Sequence, residues 1–336
     1  MMQYRQLGKT GLKISRMGFG GIPIQRIDAE GTKEILYKLR DAGVNYIDTA
    51  RGYSVSEEYI GYALEGIRKD FVLATKSMAR TKDAMAADID LSLKLLRTDY
   101  IDLYQIHNPS PEDLEVVVAP GGALEALQEA KAAGKIGHIG ITLHTAPMFE
   151  KAVQMDWVET IMFPYNLVES QGEPMMRVCT EKNIGFICMK PLAGGAIDDA
   201  ELALKYVLNN QDVTVVIPGM AAISEVEQNL QVAENAGELT DEDMKKIDEI
   251  RTSLGTEFCR RCNYCNPCTV GITIYCQFLF EGYYKRYNLK EWSTERYNAQ
   301  VKKASDCIGC GVCEERCPYN LPIRDMMKRV AKLFEG

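Results

Sequence analysis

No stretch of this 336-residue chain approaches the roughly eighteen consecutive apolar residues that a membrane-spanning helix requires, and no basic start followed by an apolar run opens it. Cytoplasmic residence is the expectation that follows. A surplus of positive charge is also missing. At a formal net charge of −8 the chain lacks the basic balance that general affinity for nucleic acid or anionic membrane rewards, so neither is an expected partner. Low-complexity tracts and long flexible linkers are absent too, and no G-x-G-x-x-G opens a helix after the first strand-like run, which disfavours an open doubly wound sheet. Cysteine is scarce before Cys259, where only Cys179 and Cys188 occur.

What is present is alternation. Helical patterns at 28–42, 56–67, 82–97, 121–133, 145–154, 172–183, 199–209 and 223–235 separate strand-like runs at 44–48, 71–75, 100–106, 136–141, 159–163, 184–189 and 213–217. With the small, apolar run Met17-Gly18-Phe19-Gly20-Gly21, which suits a central strand that something approaches closely, this makes eight strands and eight helices. Such a pattern over about 250 residues predicts an α/β fold, a closed (β/α)8 TIM barrel spanning residues 1–254. Ahead of it, the stretch from Tyr4 to Ile14 reads as two short strands around Gly8-Lys9-Thr10-Gly11, able to plug one barrel end. The hydrophobic share of 46% is enough to fill a large core. From Gly255 the composition changes to cysteine-rich, then aromatic and charged, then cysteine-rich again, which predicts a second domain at 255–336.

Three successive strands deliver titratable side chains at their ends. Val44-Asn45-Tyr46-Ile47-Asp48 runs into a loop holding Tyr53; Phe71-Val72-Leu73-Ala74-Thr75 ends in Lys76; Tyr100 to Ile106 ends in His107. Parallel barrels assemble their sites from the C-terminal ends of strands, so Asp48, Tyr53, Lys76 and His107 form the candidate constellation. Taken singly, each has an ordinary explanation, and their joint placement is what marks a site. His138 and His144 are read as structural, although His144 lies at a strand end where it could touch substrate.

Asp48-Thr49-Ala50-Arg51-Gly52-Tyr53, Lys76 at a strand end, and Asp102 through Pro109 with His107 resemble the aldo-keto reductases, in the order and approximate spacing of their catalytic tetrad. The resemblance implies that Tyr53 is the general acid, giving its proton to a carbonyl oxygen while a reduced nicotinamide gives hydride to the carbon. A phenol titrates near pH 10; a nearby ammonium such as Lys76, paired with Asp48, favours phenolate, and a neutral imidazole such as His107 can orient the substrate oxygen. Cofactor contacts implied by the same likeness are Gly21, Thr142, Lys190, Leu192, Gly219, Glu225, Gln228 and Asn229, the last three on a helix whose N-terminus suits phosphate. Leu143, Met162 and Met189 depart from the family's common Asn, Gln and aromatic residue at those places. Glu225 stands where many relatives carry an arginine against the 2′-phosphate of NADPH. A carboxylate there repels phosphate and accepts from a ribose hydroxyl, so NADH is the expected form of the NAD(P)H cofactor.

Cys307-Ile308-Gly309-Cys310-Gly311-Val312-Cys313-Glu314-Glu315-Arg316-Cys317-Pro318 is the C-x2-C-x2-C-x3-C-P run of bacterial ferredoxins. Cys259, Cys262, Cys265 and Cys268 form a second run, one residue shorter before its last cysteine and followed by Thr269. Structural zinc favours two separated pairs, so triplet spacing predicts two [4Fe–4S] clusters in a small, mainly α, ferredoxin-like domain. The expected ligation is crossed, with Cys259, Cys262, Cys265 and Cys317 on one cluster and Cys307, Cys310, Cys313 and Cys268 on the other, Cys276 being the substitute ligand. Barrel and module together resemble the branch of the aldo-keto reductases that carries a C-terminal dicluster domain.

The implied activity is NAD(P)H-dependent oxidoreduction of a small carbonyl or alcohol. Two other readings carry forward: a redox relay passing single electrons from the clusters to a protein partner, and a regulatory protein that senses nicotinamide state.

Overall fold

A computed structural model describes residues 2–255 and 257–336, which form two compact units. The first comprises Met1–Asn166, Ser170–Pro191 and Ala200–Leu239; the second comprises Leu167–Glu169, Leu192–Asp199 and Thr240–Gly336. Among the described residues no helix is long and apolar enough to cross a membrane.

The first unit is a (β/α)8 barrel. Strands β1 (Tyr4–Gln6) and β2 (Lys13–Ser15) pair antiparallel as the predicted hairpin. They are followed by β3 (Phe19–Gly20), β4 (Tyr46–Asp48), β5 (Val72–Ser77), β6 (Ile101–His107), β7 (Ile136–Thr142), β8 (Thr160–Pro164), β9 (Gly185–Met189) and β10 (Val215–Val216). The eight strands from β3 to β10 are parallel and ordered by sequence. Parallel bridges Met17↔Val216 and Gly20↔Gly219 join β3 to β10 and its following loop and close the eight-stranded barrel. Gly219 is required there, because a Cβ on it would lie 2.4 Å from Pro23 Cγ.

Every predicted barrel helix is present, from Ala29–Asp41 through Ile223–Asn235, and all but the last are shorter than predicted at one or both ends. One more, Pro111–Val118, was unexpected. Its start is encoded by a capping box in which the Ser110 hydroxyl accepts from the Asp113 amide and the Asp113 carboxylate from the Ser110 amide, with Pro111 at the first helical position.

The barrel interior is packed with Tyr46, Ala74, Leu103, Met162, Ile187, Val215 and Ile217, and the hairpin adds Leu7 and Ile14 to the same cluster. The expected plug is therefore real. Leu7 presses so closely on β9 that a Cβ at Gly185 would fall 2.6 Å from its Cδ1. Burying Leu7 and Ile14 stabilises this end by roughly 2 kcal/mol per side chain.

The second unit is mainly helical: Asp241–Leu254, Ile274–Lys285, Lys290–Asn298, Val312–Glu315 and Ile323–Glu335. The helix Asp241–Leu254, on the barrel side of the expected boundary, packs in this unit, with Arg251 Nε donating to Leu167 O at 2.8 Å. Its core gathers Ile272, Phe278, Tyr297, Leu321, Met327 and Val330.

His138 has a structural role. Its Nδ1 lies 2.7 Å from Glu159 Oε2, while Lys131 Nζ and the Ile139 amide donate to Glu159 Oε1 at 2.6 and 2.9 Å. Burial pushes the Glu159 carboxyl up, but His138, Lys131 and the Ile139 amide outweigh it and hold the group down at about 2 from an ordinary 4.5. The folded state thus binds this proton less tightly than the unfolded chain. Its contribution is complete above pH 4.5 and is lost as the pH falls toward about 2. Denaturant titration of Glu159→Gln should show a loss of roughly 1–2 kcal/mol at pH 6, after allowance for solvent screening, and the gap from wild type should close as the pH is lowered; a gap that does not change with pH refutes the account.

Candidate active site and cysteine cavities

The three titratable strand ends lie side by side because β4, β5 and β6 are neighbours in the barrel. Their register sets Asp48 against Ala74 and Lys76 against Gln105. Lys76, only 1% exposed, donates to Thr49 O at 2.8 Å and forms an ion pair with the equally buried Asp48. Gln105 Nε2 donates to the other Asp48 oxygen at 3.0 Å. Burial pushes the Asp48 carboxyl up, opposed by Lys76, and pushes the Lys76 ammonium down, opposed by Asp48. Each charge is the chief compensation for the other.

Tyr53 is brought back over this pair by the loop after β4, whose turn is fixed by Thr49 N donating to Ala74 O, Arg51 N to Lys76 O and Tyr53 N to Ala50 O, at 2.9, 3.0 and 3.0 Å. Lys76 Nζ stands 4.9 Å from the Tyr53 ring centroid. The His107 ring meets Tyr53 edge-on, with centroids 6.1 Å apart and planes at 87°. All four candidate residues are thereby gathered at one end of the barrel, a phenol next to a buried ammonium and an imidazole. Gln105 was missed in the sequence. The signal was available, since it lies two residues before His107 and strand alternation puts both on one face.

The residues proposed for a dinucleotide are spread over the ends of the first and later barrel strands and the helix Ile223–Asn235. Gly21 packs under β4, its amide donating to Asp48 O at 2.8 Å, and a Cβ would sit 2.9 Å from that oxygen. Thr142 ends β7, buried, with Oγ1 accepting from the Asn108 amide at 3.0 Å. Lys190 follows β9 in the left-handed region, at φ +56°. Gly219 is in the closing bridge. Leu192 falls in the second unit. Glu225 is the first-turn acid of the helix Ile223–Asn235, and its Oε2 accepts from the Ala221 amide at 2.6 Å, so a carboxylate already occupies one donor at this helix start. Asn229, one turn on, is buried, whereas Gln228 lines a polar crevice of about 430 Å³ with Glu201 and Lys205. His144, Leu143 and Met162 are buried, and Met189 is partly so.

In the second unit the eight cysteines of the two runs separate into two sets of four. Cys268, Cys307, Cys310 and Cys313 line one cavity of about 400 Å³, walled by Ile272, Ile274 and Ile323. Cys259, Cys262, Cys265 and Cys317 line another of about 320 Å³, next to which Arg260 lies 3.9 Å over the Tyr319 ring. Each cavity takes three cysteines from one run and one from the other. Among the described residues no group of three or more His, Cys, Asp or Glu converges on a single-ion site. Burial pushes the Cys259 and Cys265 thiols up to about 12, so a metal centre is what would make them thiolates at neutral pH. Four soft sulfur donors around an apolar space fit an iron–sulfur cluster. Cys276 packs against the apolar core. Cys179 and Cys188 are fully buried in the barrel as small hydrophobes.

Comparison with known proteins agrees with both halves. Residues 16–202 and 197–252 match the aldo/keto reductase family, and residues 258–322 match the 4Fe-4S dicluster domain. An uncharacterized oxidoreductase, YqkF of Bacillus subtilis, is 27% identical over 299 residues, covering 73% of this chain and 95% of that protein. L-galactose dehydrogenase of Arabidopsis thaliana is 28% identical over 284 residues, covering 68% and 87% respectively. Among solved structures, the holo form of aldo-keto reductase AKR11C1 from Bacillus halodurans aligns with a TM-score of 0.64 at 28% identity, over 74% of this chain and 96% of its own.

Proposed function

The chain belongs to the aldo/keto reductase family and carries a C-terminal 4Fe-4S dicluster domain, and from that premise we propose that residues 1–254 catalyse NAD(P)H-dependent reduction of a small carbonyl compound, or the reverse oxidation of an alcohol. The observation that carries this reading is the placement of the Tyr53 ring over the buried Lys76–Asp48 pair and edge-on to His107. A bound reduced nicotinamide supplies the electron pair as hydride. Tyr53 gives the proton to the substrate oxygen; Lys76 favours the phenolate that remains; His107 orients that oxygen; Asp48, held by Gln105, keeps Lys76 charged in a site that burial would otherwise neutralise. Gly21, Thr142, Lys190, Leu192, Gly219, Gln228 and Asn229 are the proposed cofactor contacts, and the negative charge of Glu225 at its helix start disfavours a 2′-phosphate, so that NADH is preferred.

Residues 255–336 are assigned two [4Fe–4S] clusters, one on Cys259, Cys262, Cys265 and Cys317 and the other on Cys268, Cys307, Cys310 and Cys313. The support is the division of the cysteines between two cavities in this pattern. Exposure of Cys310 favours a second reading for this domain, in which the outer cluster exchanges single electrons with a redox protein. Reduction of the clusters by such a carrier but not by NADH would distinguish that role from the barrel's chemistry.

Tyr53→Phe should leave dinucleotide affinity within about two-fold and lower kcat by at least about a hundred-fold, because it removes the proton donor and little binding surface; retained turnover in steady-state assays would end the assignment. In the unaltered protein kcat/KM should be higher with NADH than with NADPH, and Glu225→Arg should narrow or invert the ratio. A clear NADPH preference before mutation refutes this role for Glu225. Cys317→Ser should damage the cluster on Cys259, Cys262 and Cys265 more than the one on its sequence neighbours. Iron content and electron paramagnetic resonance of the reduced, anaerobic variant read this, and loss confined to the cluster on Cys307, Cys310 and Cys313 would overturn the crossed scheme.

A further inference from the structure

The side of β5 away from the reaction holds a second set of charges that the proposed chemistry leaves unused. Strand alternation sends Lys76 inward and its neighbours Thr75 and Ser77 outward. There Thr75 Oγ1 and Ser92 Oγ both donate to Glu57 Oε1, at 2.7 and 2.8 Å, and Ser77 Oγ donates to Asp88. Arg51, two residues before Tyr53, pairs through Nη1 with Glu57 and brings Nε to 3.6 Å from Asp88 Oδ1. Its backbone amide meanwhile donates to Lys76 O at 3.0 Å. The loop that carries Tyr53 and the strand end that carries Lys76 are therefore fastened to one carboxylate.

That carboxylate is expensive to keep. The Glu57 side chain is fully buried, and an ion in such a place costs several kcal/mol of desolvation that only well-made partners offset. Fastening a loop to a strand can be done with neutral groups, so a retained charge asks for an electrostatic purpose. One is at hand. Burial pushes the Lys76 ammonium toward its neutral form, and the negative charges of Asp48 and, through the strand, of Glu57 hold the proton on it. Arg51, of opposite sign, partly cancels Glu57. The titratable groups facing Glu57 are Arg51 from the loop, Asp88 from the helix Lys82–Leu95, Tyr104 of β6 behind Ser92 at 3.2 Å, and Lys76 across β5.

We propose that Arg51 and Glu57 form a positioning couple that anchors the Tyr53 loop to β5 and sets, from outside the barrel, how firmly Lys76 and Tyr53 hold their protons. This rests on the reading of Lys76 and Tyr53 as the proton-donating pair. It requires charge changes on the two partners to act in opposite senses. Glu57→Gln removes a negative charge and should move the alkaline limb of the kcat/KM–pH profile to lower pH, by roughly half a unit or more. Arg51→Met leaves Glu57 uncompensated and should move the same limb to higher pH. The double variant should bring the limb back toward wild type while kcat stays about ten-fold low, because the anchor is gone and the charges balance.

A second readout does not depend on turnover. In protein carrying 13C-labelled lysine, the titration of the buried Lys76 side chain, identified by its loss in Lys76→Met, should shift down in Glu57→Gln and up in Arg51→Met. Opposite shifts there uphold the couple even if Tyr53→Phe retains activity and the general-acid reading falls. Shifts of the same sign, or none, in variants whose thermal unfolding remains cooperative would overturn it. Arg51 is partly exposed, so Arg51→Met alone decides the sign should Glu57→Gln fail to fold.

Discussion

The buried ion pair between Lys76 and Asp48 is the constraint around which the barrel's working end is built. Two ions withdrawn from water each cost several kcal/mol, and the attraction between them compensates only if the geometry is kept and their remaining hydrogen-bonding capacity is met. Thr49 O takes a second Lys76 proton and Gln105 fills the free Asp48 oxygen. That need locks three adjacent strands together. A slip of one residue in β5 would turn Lys76 to the helix side and leave Asp48 buried alone, while Thr75 and Ser77 would point into an apolar interior. The pair thus specifies register, and the Tyr53 loop inherits its position from that register.

Much of this was legible in the chain. The alternation of short apolar runs with 3.6-residue patterns yields the barrel, and the titratable residues at three consecutive strand ends point to the site, because a parallel barrel directs all strand ends to the same face. The residues that escaped are those whose role depends on partners remote in sequence. Glu57 sits in the first turn of the helix Ser56–Ala63, where an acid normally does no more than complement the helix dipole; that it is buried and receives Thr75, Ser92 and Arg51 follows only from how that helix lies on β5. Glu225 shows the same limit from the other direction. A carboxylate in place of an arginine can be read from the sequence, but its hydrogen bond to the Ala221 amide, which commits the group to its own helix start, cannot. The helix Pro111–Val118 has no counterpart in the sequence reading, although Pro111 occupies the position where a helix tolerates proline best.

The cysteine region was read from the triplet spacing of its two runs, a stricter pattern than that of a hydrophobic core, and the dicluster-domain match over residues 258–322 agrees with it. The structure adds environment. One cavity is bordered by Arg260, itself tied by Nε to Val168 O at 2.8 Å, and keeps Cys262, Cys265 and Cys317 buried. The other presents Cys310 to solvent, with Thr269 Oγ1 3.4 Å from its sulfur and Ile308 exposed beside it. Two sites of the same composition are thus set in unequal surroundings, and solvent exposure and hydrogen bonds to sulfur are among the factors that separate reduction potentials.

The exchange of one cysteine between the two runs also fixes an order of events during synthesis. Cys259, Cys262 and Cys265 leave the ribosome as an open trio, and their fourth partner, Cys317, emerges only after the helices Ile274–Lys285 and Lys290–Asn298 and the whole Cys307–Cys313 segment have been made. Neither four-thiol cavity can close on a nascent fragment that stops before the second run. Completion of either set of four thiols therefore waits on the second run, by which point every strand of the barrel has already been made.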